Sequence, residues 1–465
     1  MLIIDIIVIA LYFLVLILIS VKAGKSKTSE TDKLTGGRGF GLWTAAIGRT
    51  ANMAGGPATM GNASYGFNSG INGIWFALSN ILSMWLSAPF ASRIYNTMKQ
   101  GNIYTIGSYI GHRFGKFPQV FAGFTNFLAY LGFVASNLLA TGTVLHIILR
   151  IEFVPAIVIS MIITTLYTSI GGLKSVYLVN IFQVAIMIIG FTLILMPLSL
   201  HSVGGISNLI AQLPESHIKL DFSTILVVFS TIILPTAVTG FTTQAGFIAI
   251  SSSKNVNIGW KSTILAGIIY SCIVFPILIV GATGKISMPN ANSQSILTEI
   301  ITEKLPIGLI GLLTAAIISA TMSTAASCTM NAITCMKIDV IEAINPKITE
   351  NKYFKSSLMI VAINLLALML VLISPSIIKL LLVGYSLASG GLLIPVFATM
   401  LWKRATPKGI NCSMIIGGLS FVLSQFVLSV KTPLLISLPL SLLALVVFSL
   451  LEKPQEEEII KEYFE

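Results

Sequence analysis

The stretch 51-ANMAGGPATMG-61 decides the fold. It lies inside a long apolar run, yet it sets Gly55, Gly56 and Pro57 in a row, with Arg49 and Asn52 just ahead of them. Glycine and proline are the residues that weaken or interrupt a helix. In hydrocarbon, backbone groups freed by an interruption must meet protein, water or a ligand. One reading is a kink that serves helix packing. The other is a discontinuous membrane helix whose unwound carbonyls coordinate a cation near the midplane. In that second reading Asn52, Gly55, Gly56, Asn62 and Tyr65 are candidates to contact a solute.

The surroundings settle the environment. The chain has 465 residues, 55% hydrophobic and only 10% charged, with a mean hydropathy of +0.91. A water-soluble protein of this size carries far more charge on its surface. Apolar runs near the length that crosses a bilayer, about 20 residues, recur from end to end. The expectation is an all-α polytopic membrane protein with about thirteen transmembrane helices. They fall near 2–21, 41–68, 72–95, 118–148, 154–170, 175–200, 223–249, 260–284, 306–336, 356–374, 377–402, 409–429 and 433–451. The first run carries Asp5, lacks a basic start and is followed by Lys22, Lys25 and Lys27, so it reads as a retained span rather than a cleaved signal.

Basic residues crowd one set of connecting segments, among them Arg93, Arg113, Lys254, Lys347, Lys352, Lys403 and Arg404. The positive-inside rule places that set in the cytoplasm, with the N-terminus outside, the C-terminus inside and the chain in the cell membrane. The net charge of +11 then reflects topology and lipid contact, not a nucleic-acid partner. The acidic end 452-EKPQEEEIIKEYFE-465 reads as a solvated tail without chemistry. Cys272, Cys328, Cys335 and Cys412 stand at no metal-ligand spacing, and the four histidines are scattered towards span ends. No polar segment is long enough for a soluble domain. No nucleophile–base pair, zinc spacing or phosphate loop is present, so no enzymatic chemistry is expected.

A second interruption, 235-PTAVTGFTTQAG-246, falls five spans after the first and adds Thr243 and Gln244 as candidate solute contacts. Two interrupted spans at that separation are what an inverted repeat of five helices requires. In 319-SATMSTAASCTMN-331, hydroxyls recur at helical spacing on one face. Such a face serves close packing, and equally supplies the neutral oxygens that a small hard cation takes.

Several stretches, in order, resemble the sodium:solute symporter family: 36-GGRGFGLWTAAIG-48 with 61-GNASYGFNSG-70, 104-YTIGSYIGHRFG-115, 171-GGLKSVYLVNIFQ-183, the helix running through Asp339, and 393-LIPVFATMLWKRATPKG-409. The resemblance implies a LeuT-like core of five plus five inverted helices at 36–405. A first helix and loop at 1–35, and two helices with a tail at 406–465, would lie at the periphery. It also implies sodium as the coupling ion, held by the carbonyls of Ala51, Ala54 and Ala320 and the hydroxyls of Ser323 and Thr324.

The departures from the family pattern bear on stoichiometry and solute. Where some members carry an aspartate for a second sodium, this chain has Asn180, and Ala326 replaces a hydroxyl. Met53 stands at an aspartate position of proline-type members, and Ile250 at the arginine of a Gln-Arg pair. One sodium per solute is expected. Arg49 is a charge deep in a core span, so its partner is either helix-break carbonyls or a solute carboxylate, or it is structural. The expected function is sodium-coupled symport of an amino acid, organic acid or osmolyte. The alternative is a transporter-like sensor or a channel without concentrative transport.

Overall fold

The protein was analysed as a computed structural model that describes residues 3–24, 30–219, 225–306, 308–347, 355–373 and 377–464. Lys25, Lys27 and Lys352, counted above among the basic loop residues, lie outside these.

Among the described residues the chain is helical throughout, and nine helices are long and apolar enough to cross a membrane. The remaining expected spans are broken, shorter or continuous with a neighbour. The span expected at 41–68 is split into Leu42–Met53, a π-helical turn at Pro57–Gly61 and Asn62–Ser69. The one at 223–249 is split into Leu234–Ala237, Thr239–Thr242 and Gln244–Ser251 behind a further π turn. The pair expected at 154–170 and 175–200 meets at a kink at Gly172, whose φ of 64° is outside the helical region. Gly172–Ser202 reaches membrane-crossing length, whereas the apolar stretches Phe153–Leu166 and, in the span expected at 377–402, Ser386–Leu401 are shorter.

The centre of the molecule is the helix Leu309–Thr334, in which every residue from Leu313 to Thr334 is buried. Its Ala, Ser and Thr residues let neighbouring backbones come close, the way membrane helices pack when water supplies no driving force. It packs against Leu42–Met53, Lys116–Leu149, Phe153–Met187 and the first helix, Ile3–Gly24. Asp5 fixes its start: one carboxylate oxygen accepts from the N–H groups of Gly308 (3.0 Å) and Gly311 (2.8 Å). A carboxylate there satisfies donors that a helix start leaves open and meets the positive end of the helix dipole.

The two broken helices are tied at one end of the molecule. Phe40 N–H donates to Ser252 O (3.1 Å), and Lys254 N–H donates to Phe40 O (3.0 Å). The entry of the first broken helix is thereby bonded to the exit of the second.

The acidic end is not a free solvated tail. Its helix Glu457–Phe464 folds back so that Tyr463 is buried, its hydroxyl donating to Tyr109 O at 2.6 Å. Arg113, which also holds the carbonyls of Thr399 (2.8 Å) and Trp402 (3.0 Å), lies over the Phe464 ring at 5.1 Å. The charge run Glu456–Glu458 dominates the composition there, but the aromatic pair behind it determines where the segment goes.

Candidate functional site

The first break begins where Ala54 leaves helical geometry at φ −83°, ψ 32°. Helix carbonyls just before it lose their partners four residues on, and two hydroxyls from the central helix approach one of them. Thr324 Oγ1 donates to Ala51 O at 2.6 Å, and Ser323 Oγ reaches the same oxygen at 3.4 Å. Ser323 Oγ also donates to Ala320 O at 2.9 Å. Ala51, Ala320, Ser323 and Thr324 thus form one buried cluster of neutral oxygens. Gly55, the residue after Ala54, abuts it: a Cβ there would stand only 2.8 Å from Thr324 Oγ1. Neutral carbonyl and hydroxyl oxygens suit a small hard cation, and the hydroxyl protons can turn aside when an ion arrives.

Glycine at 55 and 56 is required by close approach. A Cβ at Gly55 would lie 2.3 Å from Asn137 Oδ1, and one at Gly56 would lie 2.3 Å from the Cβ of Ala140. That proximity lets the Gly56 N–H donate to Asn137 Oδ1 at 2.8 Å. The π turn that follows is a geometry often found at functional sites.

The second break is closed differently. Thr239 Oγ1 donates to Thr236 O (2.8 Å), and Thr243 Oγ1 donates to Thr239 O (2.7 Å). Thr243 itself is extended, at φ −117°, ψ 148°. The groups freed beyond it go to the helix Lys116–Leu149. Gln244 N–H donates to Asn126 Oδ1 (3.0 Å), Ala245 N–H to the Tyr130 hydroxyl (2.6 Å), and Asn126 Nδ2 to Thr242 O (3.2 Å). Asn126, Tyr130 and Asn137 share a face of that helix, being four and seven residues apart. One helix face therefore satisfies freed backbone at both breaks. The sequence reading did not single out these three residues. Their regular spacing within an apolar span was the available signal.

Between the breaks lies a cavity with about 450 Å³ of empty space, whose lining includes Asn52, Gly55, Asn80, Asn137, Thr243 and Thr324. A smaller one of about 250 Å³ shares Asn52, Met53, Thr239, Thr243 and Ala245 with it and adds Arg49. Arg49 is 4% exposed. Its Nη2 donates to Ser87 Oγ at 2.8 Å, while Nη1 has no hydrogen-bond partner.

The candidate solute residues therefore divide. Arg49, Asn52, Gly55 and Thr243 come together on the cavities. Gly56 spends its N–H on Asn137. Asn62 is fully buried, with Nδ2 on Ala58 O (2.7 Å), and Tyr65 packs on Phe76 with ring centroids 5.1 Å apart. Gln244 faces other work: Nε2 donates to Tyr104 O (3.1 Å), and Oε1 accepts from Ile106 N–H (2.8 Å). Neither Asn62, Tyr65 nor Gln244 lines these two cavities. Asn180 is fully buried, with neither amide atom hydrogen-bonded.

Two discontinuous helices crossing a hydroxyl-bearing helix define an ion-coupled transporter of the LeuT-like, five-plus-five inverted-repeat class. The chain belongs to the sodium:solute symporter family, whose model matches residues 34–417. Among curated relatives, the sodium/proline symporter of Escherichia coli (strain K12) is 24% identical over 98% of this chain and 94% of its own length. The sodium/pantothenate symporter of Haemophilus influenzae is 23% identical over 84% of each. Among solved structures, a sodium-coupled sialic acid symporter in a substrate-bound outward-open state superposes with TM-score 0.83 over 97% of this chain and 99% of its own, at 19% identity. A nucleobase-cation-symport-1 family transporter, in a closed conformation with bromovinylhydantoin bound, gives 0.59 over 92% and 97%, at 12% identity. Both structural likenesses concern the fold. The chain is a multi-pass membrane protein that carries small organic solutes by symport with sodium, its coupling ion. The sensor or channel alternative is not favoured.

Proposed function

We propose that this symporter binds one sodium per solute, at the carbonyls of Ala51, Ala54 and Ala320 and the hydroxyls of Ser323 and Thr324. Uptake proceeds by alternating access around the cavity between the two breaks. The observation that carries this reading is the approach of Ser323 and Thr324 to Ala51 O across the first break. Ligand exchange there is simple: a sodium ion replaces the hydroxyl protons as the partner of oxygens already gathered. Thr324 and Gly55 also line the cavity, so an ion at the cluster stiffens part of the solute site directly. Relatives named for proline and pantothenate make a small carboxylated organic solute the natural class.

The single-ion stoichiometry rests on Asn180 and Ala326. A second sodium in low dielectric needs compensating charge, and a neutral amide supplies none. In orientation, the arginine-rich end that carries Arg113 and the Tyr463 segment faces the cytoplasm, with the N-terminus outside. The transport core is 36–405, flanked by the 1–35 and 406–465 segments. Reconstituted protein tests the core of this proposal. An inward sodium gradient should drive solute accumulation that a potassium gradient does not drive, and equal uptake under both would overturn it.

A further inference from the structure

We infer that the transported solute is a small organic monocarboxylate without an ammonium group, its carboxylate held by Arg49. This rests on the symport reading above and narrows its solute. An unpaired guanidinium in a membrane interior is costly, and such residues either find a counter-charge or line a path for one. Ser87 satisfies a single N–H of Arg49, and the whole Nη1 amine remains buried without an acceptor. No carboxylate of the described residues lies within ion-pair distance of it, and neither cavity lining contains an Asp or Glu. A solute entering the cavity that Arg49 lines can supply an acceptor. A carboxylate does so in the geometry that a guanidinium fork is built for, two parallel N–H···O bonds.

The same inventory argues against an amino group on the solute. An ammonium would find no counter-charge, only neutral hydroxyl, amide and carbonyl acceptors and the ring faces of Phe76, Tyr130, Phe133 and Tyr270, with Arg49 lining one cavity and the proposed sodium cluster adjoining the other through Thr324. Both neighbours are positive, and their repulsion is least screened where water is excluded. A monocarboxylate instead sets one negative charge between two positive ones. The remaining lining, which includes Asn52, Asn80, Thr243 and Phe76, suits a short chain bearing a hydroxyl or keto oxygen.

Thermal-shift titrations of purified full-length protein in sodium test this, with propionate, lactate and pyruvate against alanine, proline, glycine betaine and glucose. At least one monocarboxylate should raise Tm saturably, with the zwitterions and glucose inert. Arg49→Gln should weaken that response about tenfold or more, while Arg49→Lys, which keeps the charge, retains part of it. Sodium alone should still raise Tm in Arg49→Gln, which separates loss of the solute contact from loss of the ion site. If sodium has no effect on the wild type, the symport reading fails first. If sodium acts but alanine or proline binds as well as the acids, or no monocarboxylate acts, the inference is overturned and the symport reading stands. Should Arg49→Gln not fold, the wild-type selectivity panel and Arg49→Lys still decide it. Unchanged carboxylate response in a folded Arg49→Gln would leave Arg49 a structural arginine bonded to Ser87.

Discussion

The two broken helices differ in how they settle the backbone they free. At the second break, threonines of the same segment take the carbonyls of Thr236 and Thr239, and Asn126 and Tyr130 take the rest. At the first, Thr59 of the same segment takes Gly55 O and Gly56 O, but Ala51 O meets hydroxyls that come from another helix, Ser323 and Thr324, and those hydroxyls have other orientations open to them. A break whose freed groups are held by its own threonines and by Asn126 and Tyr130 is a preformed wall for a solute. A break closed by borrowed hydroxyls can trade them for an ion. On the proposed reading, the pseudo-symmetric positions carry unlike chemistry, one suited to the coupling ion and the other to the cargo.

That contrast can be broken at its strongest point first. Changing Ser323 and Thr324 together to Ala removes two of the five proposed ligands and leaves small residues that still pack. The sodium needed for half-maximal transport should rise about tenfold or more, with expression little changed. Next comes the shared strut. Asn137→Ala strips the acceptor from Gly56 N–H at the first break and should cost about 1–3 kcal/mol, weakening sodium and solute together. A smaller effect is expected at the second break. Thr243→Ala should lower solute affinity a few-fold with sodium activation unchanged, because its hydroxyl closes a carbonyl rather than holding the ion. If Thr243→Ala instead shifts sodium activation as much as the Ser323/Thr324 pair does, the division of labour is wrong. The subtlest reading is electrical. The reversal potential in proteoliposomes should report one sodium per solute, and a ratio of two would point to a second ion, with the unbonded amide of Asn180 as the first place to look.

The sequence exposed the breaks well because glycine and proline act through local backbone, which needs no knowledge of partners. The gathering of oxygens at Ala51, Ala320, Ser323 and Thr324, proposed above for the ion, is foreshadowed by the spacing of hydroxyls on one helix and by family resemblance. What stayed hidden has a common cause. Asn126 and Asn137 each also bond a carbonyl four residues back, Ala122 O and Phe133 O, and so look like ordinary helix residues. Their informative partners lie 118 and 81 residues away in sequence. Thr243 and Gln244 are both polar residues of the second interruption, 235-PTAVTGFTTQAG-246. The extended conformation of Thr243 breaks the helix between them, so Thr243 lines the cavities and Gln244 is held by the segment at Tyr104 and Ile106. At the chain's acidic end, charge density suggested solvation, whereas Tyr463 is anchored by contacts that only the folded chain brings within reach.

Direct binding of radioactive sodium to purified protein, without solute, tests the central claim that the first break and the central helix together hold the coupling ion. The wild type should bind saturably at one site per chain. The Ser323→Ala/Thr324→Ala variant should bind at least about tenfold more weakly, while Thr243→Ala matches the wild type. Sodium binding that survives intact in the double variant would contradict the account.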